Sequence, residues 1–140
     1  MGQSTTRLVW CGHDLYVGSD SGRHSVVVST QDEAERVGIR PADLLLMAIA
    51  SCTAVDVVSI LAKKRMPLES MEIQADGVQD DNPPYAFRAI HLTYRVEGAA
   101  LTEAGVRQAI ELAEGKYCSV SASLKPQVQV TTAFEILSGA

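Results

Sequence analysis

Three residues of this chain carry most of its possible chemistry: Cys11, Cys52 and Cys118. A thiolate is a nucleophile and a metal ligand, whereas a buried thiol is merely a small apolar side chain. An odd number of cysteines with no CxxC pair argues against a disulfide framework. A metal site needs cysteines and histidines clustered at short spacing. His13, His24 and His91 do not supply that cluster with the cysteines, so no metal is expected. What remains is a choice between inert core thiols and a reactive one.

Cys52 is the candidate for reactivity because of where it stands. It lies in the middle of RPADLLLMAIASCTAVDVVSILAKKR, residues 40–65. At about 100° per residue, helical positions 56 and 59 flank position 52 on one face. Ser59, Cys52 and Asp56 thus share a polar stripe on an otherwise apolar helix, with the small Ala48 one turn earlier. A thiol reacts as the thiolate, and its pKa falls beside cations or a helix N-terminus. Cys52 is about three turns into the helix, too far for the helix's own N-terminus to act. Asp56 would raise the pKa. The stabilising charge must then come from a cation elsewhere, with Arg7, His13, Arg23, His24, Arg36 and Arg40 as candidates. Asp43 reads as a first-turn anion of the helix. His91 reads as a water-facing strand histidine.

The elements that would position these residues follow from pattern. Pro41 suits the first turn of a helix. Lys63, Lys64 and Arg65 suit its C-terminal end, and Pro67 stops it. A helix over residues 41–65 would be roughly 37 Å long, against a radius of gyration near 14 Å for a domain of this size. Its apolar residues surround the axis, which predicts burial on every side. Before it, residues 5–29 read as an antiparallel meander of three short strands around Gly12-His13-Asp14 and Ser19-Asp20-Ser21-Gly22. After it, residues 68–97 read as a hairpin across the loop QDDNPPY. Ile90, Leu92, Tyr94 and Val96 share one face of its second strand. Thr102 is a good N-cap for a helix over 102–115, with Val106, Ile110 and Ala113 inward. A Cys118 turn and a final strand complete residues 118–136. The expectation is one α+β domain over residues 1–140, with helices and sheet in separate layers.

Composition narrows the function. A formal charge of −5 and a pI near 5.1 argue against nucleic acid or an anionic membrane as the main partner. The first residues lack an apolar h-region, so a cytoplasmic location is expected. Gly2 and Thr6 fit a myristoylation pattern, but on a segment that reads as a strand. Asp43 and Asp56 shorten the apolar run of the helix below the ~20 residues of a membrane span.

Taken together, PADLLLMAIASCTAVDVVSIL, NPPYAFRAIHLTYRV and KYCSVSASL resemble the OsmC/Ohr family, most closely its YhfA-type subgroup. The resemblance covers nearly the whole chain. It implies an OsmC-like fold, with antiparallel sheets around a long central helix in an intertwined homodimer whose active sites lie at the subunit interface. It implies a thiol-dependent peroxidase that reduces organic hydroperoxides in oxidative-stress protection. Cys52 would be the peroxidatic residue and Cys118 the resolving one. An external dithiol would serve as reductant, with no bound cofactor. Two positions depart from the Ohr pattern. Ala42 stands where a glutamate follows the proline, with Asp43 one place later, and His13 stands where an arginine holds the thiolate. His13, Arg23, His24, Asp43 and Asp56 are therefore the supporting candidates. The same departures leave an alternative, a non-catalytic homodimer that binds a small hydrophobic ligand.

Overall fold

A computed structural model describes residues 2–138. The residue-1–140 domain span therefore includes three terminal positions, 1, 139 and 140, that lie outside the described residues. The architecture is mixed α+β, with two small sheets and a long central helix. The chain gathers into two compact units, residues 1–45 and 46–140.

The first unit carries the expected meander. Strands β1 (Thr6–Trp10), β2 (Leu15–Asp20) and β3 (Ser25–Ser29) pair in order, all antiparallel. Gly12, His13 and Asp14 make the first turn with φ values of 84°, 52° and 57°. Glycine adopts such angles freely, while His13 and Asp14 are of the few types that tolerate them.

Helix α1 (Pro41–Lys63) starts where Pro41 predicts and has Asp43 in its first turn. It ends two residues before the expected Arg65, and hydrogen bonding gives the reason. Arg65 takes a left-handed φ of 61°. Met66 N–H then donates to Leu61 C=O at 2.9 Å and Arg65 N–H to Ala62 C=O at 3.0 Å. This pair of bonds closes a helix without glycine at the position where glycine is usual. It also aims Met66 at the next helix. A Cβ on Gly105 would stand 2.6 Å from the Met66 sulfur, so a larger residue there would push the Met66 side chain aside.

In the second unit, β4 (Ser70–Gln79) pairs antiparallel with β5 (Phe87–Glu97), the expected hairpin. Strand β6 (Gln129–Ile136) pairs with the other edge of β5 and runs parallel to it. A parallel neighbour requires a crossover, and the segment between them supplies it. Helix α2 (Glu103–Leu112) begins at Thr102, whose Oγ1 accepts from Gly105 N–H at 3.1 Å. It does not run on to residue 115 as an α-helix. A π-helical turn, Ala113–Tyr117, takes over, closed by Cys118 N–H donating to Ala113 C=O at 2.8 Å. Helix α3 (Ser119–Leu124) follows, with Cys118 as its N-cap.

The core of this unit is the buried face of β5 (Ile90, Leu92, Tyr94, Val96) packed with Val106, Ala109, Ile110 and Ala113 and with one stripe of α1. That stripe is Ile49, Thr53, Val57 and Leu61. Burial on every side of α1 is therefore not what a single chain achieves. Val55 is 70% exposed and Met47 58% exposed. One sheet and one short helix can cover only about one face of so long a helix. By length and composition alone α1 could cross a bilayer, but its inward stripe serves as a core element of the fold.

Candidate thiol site

Cys52 and Cys118 are brought together. Cys52 sits on α1 one residue before Thr53, and Thr53 anchors that turn. Its Oγ1 donates to Ala50 C=O at 3.0 Å and accepts from the buried Tyr94 hydroxyl at 2.8 Å. Burial, more than any other cause, pushes Tyr94 up to about 12, so it remains a neutral donor. Cys118 is held from the other side. Its backbone closes the π-helical turn, and its Sγ accepts from Ser121 N–H at 3.3 Å. Both cysteines are free thiols, Cys118 buried and Cys52 partly exposed.

The environment pushes the two thiols apart in acidity. Burial raises Cys52, but the hydrogen bonds it receives outweigh that and hold it below the ordinary thiol value. They come from Val120 N–H, the Cys118 thiol, and the hydroxyl and N–H of Ser119. Ser119 Oγ lies 3.9 Å from the Cys52 sulfur. Cys118 moves the opposite way. Burial, and then the hydrogen bond it donates to Cys52, push it up to about 11. One sulfur is thus the better thiolate and its neighbour the better proton holder.

The groups that lower Cys52 are uncharged donors at the start of α3, not a guanidinium or imidazolium. The sequence reading missed Ser119 and Val120 because it considered only the N-terminus of the helix that carries Cys52. A signal was present: KYCSVSASL places a short helix start directly after the second cysteine.

The supporting candidates separate. Among the described residues, His13, Arg23, His24 and Asp43 belong to the first unit. His13 and Arg23 occupy left-handed turn positions. His13 C=O accepts from Gln31 Nε2 at 2.8 Å. His24 Nδ1 lies 2.9 Å from Asp20 Oδ2, and hydrogen bonds from the His24 N–H and ring, with one from Gly22 N–H, hold the Asp20 carboxyl below its usual value. The polar stripe on α1 also divides. Asp56 and Ser59 line a cavity of about 440 Å³ with Ile60, Lys63, Lys64, Leu112 and Tyr117, while Cys52 faces the start of α3. His91 is bonded to Thr131, its Nδ1 2.7 Å from Oγ1. Cys11 is exposed, its thiol donating to Val9 C=O at 3.7 Å. Among the described residues no group of three or more His, Cys, Asp or Glu could hold a metal ion.

A long helix and two small sheets, with one cysteine on that helix and a second at the cap of a short one, define a class. The OsmC-like protein family matches residues 31–133, and the chain belongs to it. Protein YhfA of Escherichia coli is 31% identical over 134 residues, covering 94% of this chain and 97% of that protein. An OsmC-like protein from Mycoplasma pneumoniae superposes with a TM-score of 0.87 at 13% identity, covering 98% of this chain and 99% of its own. The organic hydroperoxide resistance protein OhrB of Bacillus subtilis superposes at 0.67 with 14% identity, covering 96% of this chain and 98% of its own. At those identities the two structures speak for the fold.

Proposed function

We propose that this protein is a thiol-dependent peroxidase acting on organic hydroperoxides in oxidative-stress defence. The observation that carries the reading is the thiol pair: two free cysteines from distant parts of the chain, each shifting the acidity of the other, with Cys52 made more acidic and Cys118 less so. The OhrB likeness and family membership support it.

The chemistry follows from that asymmetry. The Cys52 thiolate attacks the terminal peroxide oxygen. The O–O bond breaks, Cys52 becomes a sulfenic acid, and the departing alkoxide takes up a proton to leave as the alcohol. Cys118 then gives up its proton as its sulfur attacks the Cys52 sulfur. An S–S bond forms, the S–OH bond breaks, and the hydroxyl leaves as water with the Cys118 proton. An external dithiol reduces the disulfide by exchange and becomes a disulfide itself. The active unit is a homodimer, a reading supported by the large apolar residues Met47, Val55 and Val58 left exposed along α1.

The test is addition of cumene hydroperoxide to the reduced protein, followed by mass spectrometry. The expected product is a Cys52–Cys118 disulfide, with one alcohol released per disulfide formed. Cys118→Ser should instead stop at a Cys52 sulfenic acid that dimedone traps. If both thiols stay reduced, or turnover with a dithiol survives Cys52→Ser, the proposal is wrong.

A further inference from the structure

Next to the thiols lies one carboxylate that the peroxide chemistry does not use. Glu114 stands on the π-helical turn, with its side chain only 13% exposed. Its Oε1 accepts from Ser121 Oγ at 2.6 Å and pairs with the Lys125 ammonium. Ser121 is fully buried, and its backbone N–H is the one that donates to Cys118 Sγ. Lys125 is the C-cap of α3. A single carboxylate therefore ties the first turn of a six-residue helix to its C-cap. A helix so short has almost no stability of its own and keeps its place only through tertiary contacts. Ser119, whose Oγ lies 3.9 Å from the Cys52 sulfur, stands between the Cys118 cap and Ser121.

Charge is not what Glu114 contributes. A carboxylate beside a thiolate opposes ionisation, and Glu114 already disfavours the phenolate of Tyr94. Lys125 offsets that charge within the same contact. The groups facing Glu114 are Ser121 and Lys125 of α3 and Tyr94 of β5. What remains is geometry, delivered from a π-helical turn, a distortion often found at functional sites.

We infer that Glu114 is a positioning residue of the thiol site: by holding Ser121 and Lys125 it sets the start of α3 where Ser119 meets the Cys52 sulfur. The inference rests on the reading of Cys52 as the reactive thiol. Its test reads Cys52 without any peroxide.

Full-length protein is pulsed with iodoacetamide from pH 6 to 9, and the Cys52 peptide is quantified by mass spectrometry. Glu114→Gln keeps an acceptor for Ser121 and removes the charge, whereas Glu114→Ala removes both. The Gln variant is expected to alkylate within about twofold of wild type. The Ala variant is expected to react about tenfold more slowly at pH 7, with its pH midpoint moved up. Ser121→Ala, which leaves the Glu114–Lys125 pair intact, should fall between them. An Ala variant that alkylates at the wild-type rate overturns the inference, and so does a Gln variant as slow as Ala. Should Glu114→Ala fail to fold, Ser121→Ala decides alone, and a wild-type rate there also overturns it. If wild-type Cys52 reacts no faster than the exposed Cys11, the peroxidase reading fails instead. That result is distinct from any ordering among the Glu114 variants.

Discussion

Ser119→Pro isolates the contribution of the α3 start to Cys52 with little disturbance to the fold. Cys118 is the N-cap of α3, so Ser119 is its first helical residue. Proline is well tolerated there, because the backbone N–H of that residue has no partner within the helix. The residue before a proline must be extended, and Cys118 already is, with φ −73° and ψ 109°. The substitution removes both the N–H and the hydroxyl of Ser119, two of the four hydrogen bonds that lower Cys52. Hydrogen bonds to a charged group are worth about 1.5–3 kcal/mol each. The hydroxyl contact is long for a full bond at 3.9 Å, and Cys52 is partly exposed. A combined loss of roughly 1–1.5 kcal/mol is therefore the reasonable figure, which is about a tenfold smaller thiolate fraction below the midpoint. The assay is the rate of Cys52 alkylation against pH, beside the thermal midpoint of unfolding. The expected result is about tenfold slower alkylation at pH 7 with a Tm within roughly 3 °C of wild type. Unchanged alkylation at unchanged Tm would refute the reasoning, because it would mean that Ser119 does not help set the acidity of Cys52.

Two further outcomes follow from the same site. Burial pushes Cys118 up to about 11, while an unfolded thiol titrates near 8.5. Between those values the unfolded chain releases a proton that the folded one keeps, so this contribution to stability is complete below about pH 8.5 and is lost as pH rises towards 11. Cys52, lowered in the fold, acts with the opposite sign and lower in pH. Serine does not titrate in this range and is a favoured N-cap, so Cys118→Ser should lose roughly 2 kcal/mol less between pH 9 and 11 in urea unfolding. Equal slopes for the two proteins would contradict the burial of a protonated thiol. Tyr94→Phe removes the buried donor to Thr53 and should cost about 1–2 kcal/mol. That is a fall in Tm of roughly 3–6 °C for a chain of this size, and calorimetry that finds no shift would show that the Thr53 hydroxyl needs no second partner.

Much of this architecture is local, and local structure is legible in sequence. Pro41, the Thr102 cap, the Gly12 turn and the alternation of β5 each act within a few residues, and each element appears where its signal lies. The end of α1 is the instructive exception. A run of cations points to Arg65, but a left-handed arginine closes the helix at Lys63 because Met66 N–H reaches back to Leu61. The π-helical turn is likewise invisible to periodicity, since the Ala113–Tyr117 segment continues a helical pattern and differs only in which carbonyl receives each N–H.

By itself the sequence determined the α+β composition, the long apolar helix, the cysteines at positions 52 and 118 and the family to which they belong. Those rest on residue types and spacing, which tertiary structure cannot alter. Only the folded chain decided what makes Cys52 acidic. The expectation was a cation, because a thiol three turns into its own helix has no other local help. The fold carries the start of a different helix, about seventy residues later, to that thiol, and the donors are uncharged hydroxyl, thiol and backbone N–H groups. Backbone N–H groups occur at every residue except proline, so no sequence pattern marks the few that a fold will aim at one sulfur.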